Sequence, residues 1–268
     1  MDSRLAERID LVEKDDRHGA SWLAREAVEA VSLAVELGED PLEIARRLVQ
    51  ARPAMGAIAG ALGRVLASGR TPEQILEEAR ALMEARERAA KAIAVLLTPH
   101  LHGVVMTHSN SATVQEAIEH TPPERVICTV SDPGGEGREL AEALRGSELA
   151  VDVVDDTDAE HAVATVDLLL LGADTVFRDG SLVNKVGTAG LAKAAKKAGV
   201  PVVVACEVIK LAPEDPHDPG EDRFDLTSPE NVDCYVTEEG EHTPEDIAAL
   251  IDRTPFLRDG YSLLKSRD

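Results

Sequence analysis

The stretch from Leu168 to Thr188 constrains this chain more than any other. Four consecutive leucines, Leu168 to Leu171, make a strand long enough to be buried on both faces, as the strands of a parallel sheet covered by helices are. Gly172 stops the run, and Asp174 follows at what becomes the carboxyl end of that strand. Arg178-Asp179-Gly180 lies between Thr175-Val176-Phe177 and Ser181-Leu182-Val183, and Asp-Gly between apolar pairs predicts a tight hairpin. The hairpin carries Asn184 and Lys185 to a helix expected to begin near Gly187-Thr188. A helix start offers free N–H groups and a partial positive charge, and Lys185 adds a full one. One carboxylate, one amide, one ammonium and one helix end at a single sheet edge suit a phosphorylated small molecule. A turn-capping Asp and a surface Lys would give the same local pattern.

Around this stretch the chain divides into two regions. Residues 1–98 read as a helical domain. Apolar residues recur at helical spacing over Ser21–Val31, Asp40-Pro41 is an N-cap followed by a proline at the first helical position, and Thr71-Pro72-Glu73-Gln74 is a capping box. Met55 to Leu66 is rich in Ala and Gly and is expected to pack tightly. Residues 99–268 read as a Rossmann-like α/β domain, with strands at 104–106, 125–130, 150–154, 168–171, 201–205 and 232–236 separated by helices or crossover-length loops. His108 to Ser111, Ser131 to Gly137, Asp155-Asp156, Gly172 to Asp174 and Cys206-Glu207 then fall at carboxyl ends of strands, where such sheets gather ligands. Residues 207–231, with four prolines and many carboxylates, read as a long loop or lid.

Charge narrows the partners. The chain of 268 residues carries a formal net charge of -22, and its acidic and basic residues alternate along helices. Arg far outnumbers Lys, and a surface rich in carboxylates but poor in Lys stays hydrated in concentrated salt, so we expect adaptation to a salty cytoplasm. An acidic surface of this kind excludes direct nucleic-acid binding, which requires a basic one. The three cysteines, 128, 206 and 234, are too widely spaced for a disulfide framework or a zinc site. The first 20 residues are charged throughout and no apolar run is long enough for a membrane span, so a cytoplasmic protein is expected.

Three local features bear on ligands. Arg17 before His18-Gly19-Ala20, and Arg52 before Pro53, each stand where an Arg can grip phosphate in a bidentate manner. Gly135-x-Gly137 follows a strand and opens a helix, and Asp155-Asp156 comes later at about the spacing of a ribose-binding acid. Leu140 stands where the dinucleotide fingerprint has its third glycine, so no nicotinamide or flavin cofactor is expected. No metal site is expected either.

The segment Gly172–Thr188, with Leu191-Ala192, Val200–Ala205 and Lys210, resembles the superfamily that unites the α, β and δ subunits of translation initiation factor 2B with two sugar-phosphate isomerases. Those isomerases act on ribose 1,5-bisphosphate and methylthioribose 1-phosphate. Thr107-His108, the helix start at Gly137, Val236–Gly240, Arg17–Ala20 and Ala51–Pro53 extend the resemblance. It implies an aldose–ketose isomerase fold and association into dimers or hexamers of like or related subunits. It also implies a pocket in which Asp174 acts with a Cys, and in which Arg17, Arg52, Ser111, Gly137, Asn184, Lys185, Gly187, Thr188 and Lys210 hold the ligand. The chain departs from the family twice: Ser109 stands where the Cys is expected, and Asp132-Pro133 replaces an Arg-Pro.

These departures leave two readings. A thiol titrates near ~8.5, far closer to neutrality than a serine hydroxyl, so Ser109 is a poor proton carrier. Asp132 in place of Arg removes a phosphate clamp and adds a repelling charge. The first reading is an initiation-factor-2B-like protein that binds a phosphorylated sugar or nucleotide without turning it over. The second is a working isomerase in which Asp174 pairs with His108 or Ser109.

Overall fold

The computed structural model describes residues 2–69, 71–146 and 149–265. Its amino-terminal part is helical: α1 (Ser3–Lys14), α2 (Ala20–Leu37), α3 (Pro41–Ala51), α4 (Gly56–Ser68) and α5 (Pro72–Leu97). The starts follow the sequence signals. The Asp40 carboxylate accepts from the Leu42 N–H at 2.8 Å, with Pro41 at the first position of α3. Thr71 and Gln74 form the reciprocal capping box of α5. The small residues of α4 let other backbone approach it. A Cβ on Gly60 would lie 1.9 Å from the Ile209 carbonyl oxygen, and one on Gly63 would lie 2.9 Å from the Cα of Gly260.

The remainder alternates strand and helix through β1 (Val104–Thr107), α6 (Ala112–His120), β2 (Arg125–Thr129), α7 (Glu136–Arg145), β3 (Val151–Val154), α8 (Asp156–Ala162) and β4 (Leu168–Leu171). A hairpin of β5 (Thr175–Phe177) and β6 (Leu182–Lys185) follows, then α9 (Thr188–Ala198), β7 (Val202–Ala205), β8 (Leu211–Ala212) and β9 (Phe224–Thr227). The chain continues through β10 (Cys234–Thr237), β11 (Gly240–His242), α10 (Ile247–Asp252) and α11 (Pro255–Lys265). Its last helix packs back on α4, and Tyr261 and Leu264 join the helical core.

Among the described residues the main sheet has the order β11-β10-β7-β4-β1-β2-β3, parallel throughout except for the edge strand β11. The four leucines of β4 are buried and sit between β7 and β1. Chain direction across the sheet reverses between β1 and β4, and the crevice beyond their carboxyl ends is where such a sheet accepts a ligand. The predicted hairpin is present: the Phe177 N–H donates to the Ser181 carbonyl at 2.8 Å, and Gly180 adopts a φ of 82°.

Residues 207–231 depart from the expected loop. Within them β8 and β9 complete a second sheet in the order β8-β5-β6-β9. Their signal in the sequence was masked by prolines at 213, 216, 219 and 229, all of which lie outside the two strands. Among the described residues no helix is long and apolar enough to cross a membrane.

Candidate functional site

A cavity of about 270 Å³ opens beyond the carboxyl ends of β1 and β4. Four parts of the chain wall it: residues 17–22 at the start of α2, residues 108–112 after β1, Glu136 and Glu139 on α7, and a floor of Asp174, Asn184, Lys185 and Lys210. Arg223 and Phe224, at the start of β9, close the remaining side.

Asp174 follows β4 directly, and its N–H is tied to the Val183 carbonyl at 2.9 Å, so the hairpin fixes it. Burial raises its carboxyl to about 6, opposed by the nearby Lys210 ammonium and by the Ala20 N–H at the start of α2. The Lys210 ammonium is itself buried and donates to the Ala173 carbonyl at 2.6 Å.

Ser109 lines the same cavity. It has a φ of 67°, in the left-handed region that few residues other than glycine adopt, and Ser131 at the end of the neighbouring strand has a φ of 66°. The two are linked by the Ser109 N–H, which donates to Ser131 Oγ at 2.8 Å. Paired strain of this kind collects at functional sites.

His108 is present but committed. Its Nε2 donates to the Val186 carbonyl at 2.9 Å, and its Nδ1 accepts from the Thr129 hydroxyl at 2.7 Å. Burial lowers its pKa, so the ring is held neutral with both nitrogens in use. It cannot serve as the proton partner of Asp174 in this arrangement.

Ser111 caps α6 and lies against Gly172, where a Cβ would approach Ser111 Oγ to 2.6 Å. Asn184 donates to the Thr188 hydroxyl at 3.1 Å, and Thr188 in turn donates to the Lys185 carbonyl at 2.5 Å. Lys185 is buried and forms an ion pair of 2.8 Å with Glu136 while also donating to the Pro133 carbonyl. Arg17 is exposed at the mouth.

Several expected contacts lie elsewhere. Arg52 is buried, donates to the carbonyls of Val12 and Asp15, and does not line the cavity. Its guanidinium braces the turn after α1 instead. Gly187 and Thr188 are also outside the lining, because the start of α9 is already capped: Asp225 accepts from the N–H groups of Gly187 at 2.8 Å and Ala189 at 3.2 Å. Gly137 lets α7 pack against β2, where a Cβ would lie 1.9 Å from the Thr129 carbonyl oxygen. Asp132 is exposed and outside the lining. The Asp156 carboxylate takes the N–H groups of Ser131 at 2.8 Å and Asp132 at 2.7 Å, the donors a pyrophosphate would need in that loop.

Sequence reasoning missed Glu136, Glu139 and Arg223. Glu136 lies in the glycine loop, between Gly135 and Gly137, whose spacing is the stronger local signal. Arg223 lies in the proline-rich segment read as a loop, and its guanidinium is bound to Asp16 before Arg17. Outside the cavity lining, Arg86 and Glu207 form a bidentate pair, both bonds 2.9 Å, that ties α5 to the end of β7.

Known proteins resemble this chain over most of its length. The model of a family described as the initiation factor 2 subunit family matches residues 17–221. The ribose 1,5-bisphosphate isomerase of Haloterrigena turkmenica is 30% identical over 288 residues, which cover 87% of this chain and 88% of that protein. A Pyrococcus horikoshii protein named putative translation initiation factor eIF-2B subunit 2-like is 33% identical over 227 residues, 80% of this chain and 81% of that one. The crystal structure of the Pyrococcus horikoshii OT3 translation initiation factor eIF-2B superposes with a TM-score of 0.81 at 27% identity, covering 91% of this chain and 98% of that chain.

Proposed function

The chain belongs to the initiation factor 2 subunit family, and we propose that within it the protein binds a phosphorylated sugar or nucleotide in the β1/β4 cavity without isomerising it. The observation that carries this reading is an incomplete acid–base pair. Moving a proton between adjacent carbons requires groups that can take and return it near neutral pH. Asp174 is poised for that, with its carboxyl raised to about 6. Its expected partner position holds Ser109, and His108 is kept neutral by burial, with both ring nitrogens engaged by Thr129 and Val186. The buried thiols of Cys128 and Cys206 are pushed up by burial to about 12 and do not line the cavity. Phosphate is served chiefly by Arg17 at the cavity mouth, since at the start of α2 Asp174 already takes the Ala20 N–H and Arg223, although it faces the cavity, is paired with Asp16.

A second reading, a working aldose–ketose isomerase on ribose 1,5-bisphosphate or a related sugar 1-phosphate, is favoured by the same Asp174. One carboxyl group near neutrality can remove a proton and return it to the neighbouring carbon. Incubation with ribose 1,5-bisphosphate followed by phosphorus NMR separates the two. The binding reading expects the substrate resonances unchanged while calorimetry registers a bound phosphorylated ligand. Appearance of the ketose product overturns it in favour of the isomerase.

A further inference from the structure

The phosphate-binding reading leaves open how many phosphates the cavity accepts. Lys185 is the cation that β6 brings to the floor, yet it is not available to a ligand. Its ammonium is buried, bound to the Pro133 carbonyl, and paired with Glu136 Oε1 at 2.8 Å. The other carboxylate oxygen, Glu136 Oε2, is shielded from solvent and has no hydrogen-bond partner. A buried acceptor left without a donor is unusual in a folded protein, and it leaves the Glu136 charge matched through Oε1 alone. The loop above is shaped around this carboxylate. Gly134 has a φ of 116°, and a Cβ there would come within 2.9 Å of the Glu136 carboxyl carbon. Glu139 lines the same wall one helical turn further on. The α7 wall of the cavity is therefore acidic, and the Lys185 ammonium beside it is neutralised. The wall made by residues 17–22 carries the exposed Arg17 and the start of α2, whose Ala20 N–H reaches Asp174.

We propose that Glu136 determines specificity, so that the cavity takes a ligand with one phosphate on the Arg17 wall and a hydroxyl or ammonium donor on the α7 wall. The inference rests on the phosphorylated-ligand reading and deepens it. A bisphosphate would set its second dianion against the carboxylates of Glu136 and Glu139, whereas a hydroxyl or an amine brings a donor to that acidic wall.

The test compares ribose 5-phosphate with ribose 1,5-bisphosphate by calorimetry, in the wild type and in Glu136→Gln. The wild type is expected to bind the monophosphate at least tenfold more tightly. Glu136→Gln removes the repelling charge and frees Lys185, so it is expected to narrow or reverse that ratio. Equal or tighter binding of the bisphosphate by the wild type overturns the inference while leaving the phosphate pocket intact. An unchanged ratio in a folded Glu136→Gln removes Glu136 from the role. Absence of binding by both sugars and by inorganic phosphate overturns the phosphorylated-ligand reading itself. Should the variant fail to fold, the wild-type comparison still decides.

Discussion

Arg86 of α5 grips Glu207 at the end of β7 through two parallel hydrogen bonds of 2.9 Å, with Glu207 Oε1 also within 3.4 Å of the Ser21 hydroxyl. Burial alone would raise the Glu207 carboxyl, but these bonds hold it below the ordinary range. Both side chains are nearly enclosed, at 12% and 6% exposure. The pair therefore sets how the helical part meets the sheet beside the cavity. Arg86→Met leaves Glu207 charged and unpaired and is expected to lower stability by ~3–5 kcal/mol in chemical denaturation. Arg86→Met with Glu207→Gln is expected to recover much of the loss, and equal loss in the single and double variants contradicts this account.

Asp174 and His108 give stability opposite slopes with pH. For Asp174 the folded state binds its proton more tightly than the unfolded state, whose carboxyl titrates near ~3.9. Stability from this group is thus present at low pH and is lost as pH rises towards about 6. Asp174→Asn is expected to stabilise the protein at pH 7.5 and to lose that advantage near pH 4. His108 runs the other way. Burial lowers its pKa, so its contribution is present at neutral pH and is lost as pH falls below ~6.5. Denaturation of each variant from pH 4 to 8 checks both signs, and a parallel pair of profiles rules the assignment out.

Asp225 occupies the helix start that the sequence offers to an anion. It accepts from the N–H groups of Gly187 and Ala189, the first donors of α9. Asp225→Ala is expected to cost ~1 kcal/mol, as the loss of a capping side chain does. Stability unchanged by the substitution would show that the cap contributes nothing.

The contrast between Asp225 and β4 shows what a sequence makes legible. Leu168 to Leu171 announces a strand buried on both faces because the run is continuous, and from its end the place of Asp174 follows. The Asp40 cap, the Thr71–Gln74 capping box and the Asp179-Gly180 turn are local chemistry and stand where the sequence puts them. Asp225, Asp156 and Glu136 are different. Each is a carboxylate brought to an anion-ready group from 25 or more residues away, by strand pairing or by a crossover. Nothing near Gly187 or Lys185 in the sequence reveals that its charge is already matched. The same holds for Arg52 after α3, whose partners Val12 and Asp15 belong to α1 and the turn after it.

Arg17 is expected to matter more for binding than Lys185. The Arg17 side chain is exposed at the cavity mouth, whereas Lys185 is paired with Glu136. Hydrogen bonds to charged groups contribute ~1.5–3 kcal/mol, so Arg17→Ala is expected to weaken a phosphorylated ligand by roughly ten- to a hundredfold. Lys185→Met acts first on stability, since it leaves Glu136 without its cation. Calorimetry beside thermal melting distinguishes the two, and a larger binding loss in Lys185→Met reverses the assignment.

The decisive substitution is at Ser109. If the cavity is an isomerase site without its thiol, Ser109→Cys supplies a group that can carry a proton near neutral pH beside Asp174. The change alters one atom and keeps the left-handed backbone that serine already adopts there. His108 cannot hold the thiolate, because burial keeps the ring neutral and Thr129 and Val186 occupy both its nitrogens. Support has to come from the start of α6 and from Arg17, which line the same cavity. General acid–base partners typically contribute ~10²–10⁴-fold in rate, so ketose formation from ribose 1,5-bisphosphate is expected to rise above a weak background. Asp174→Asn in the same variant is expected to abolish the gain. The neighbouring obstacle is Glu136 and not Asp132, which lies outside the cavity. Ser109→Cys with Glu136→Gln is therefore the form in which turnover should be greatest. Brisk turnover by the wild type instead makes Asp174 sufficient on its own and removes the non-catalytic reading. Silence in the double variant, with the ligand demonstrably bound, leaves a site built to hold a phosphorylated molecule and not to change it.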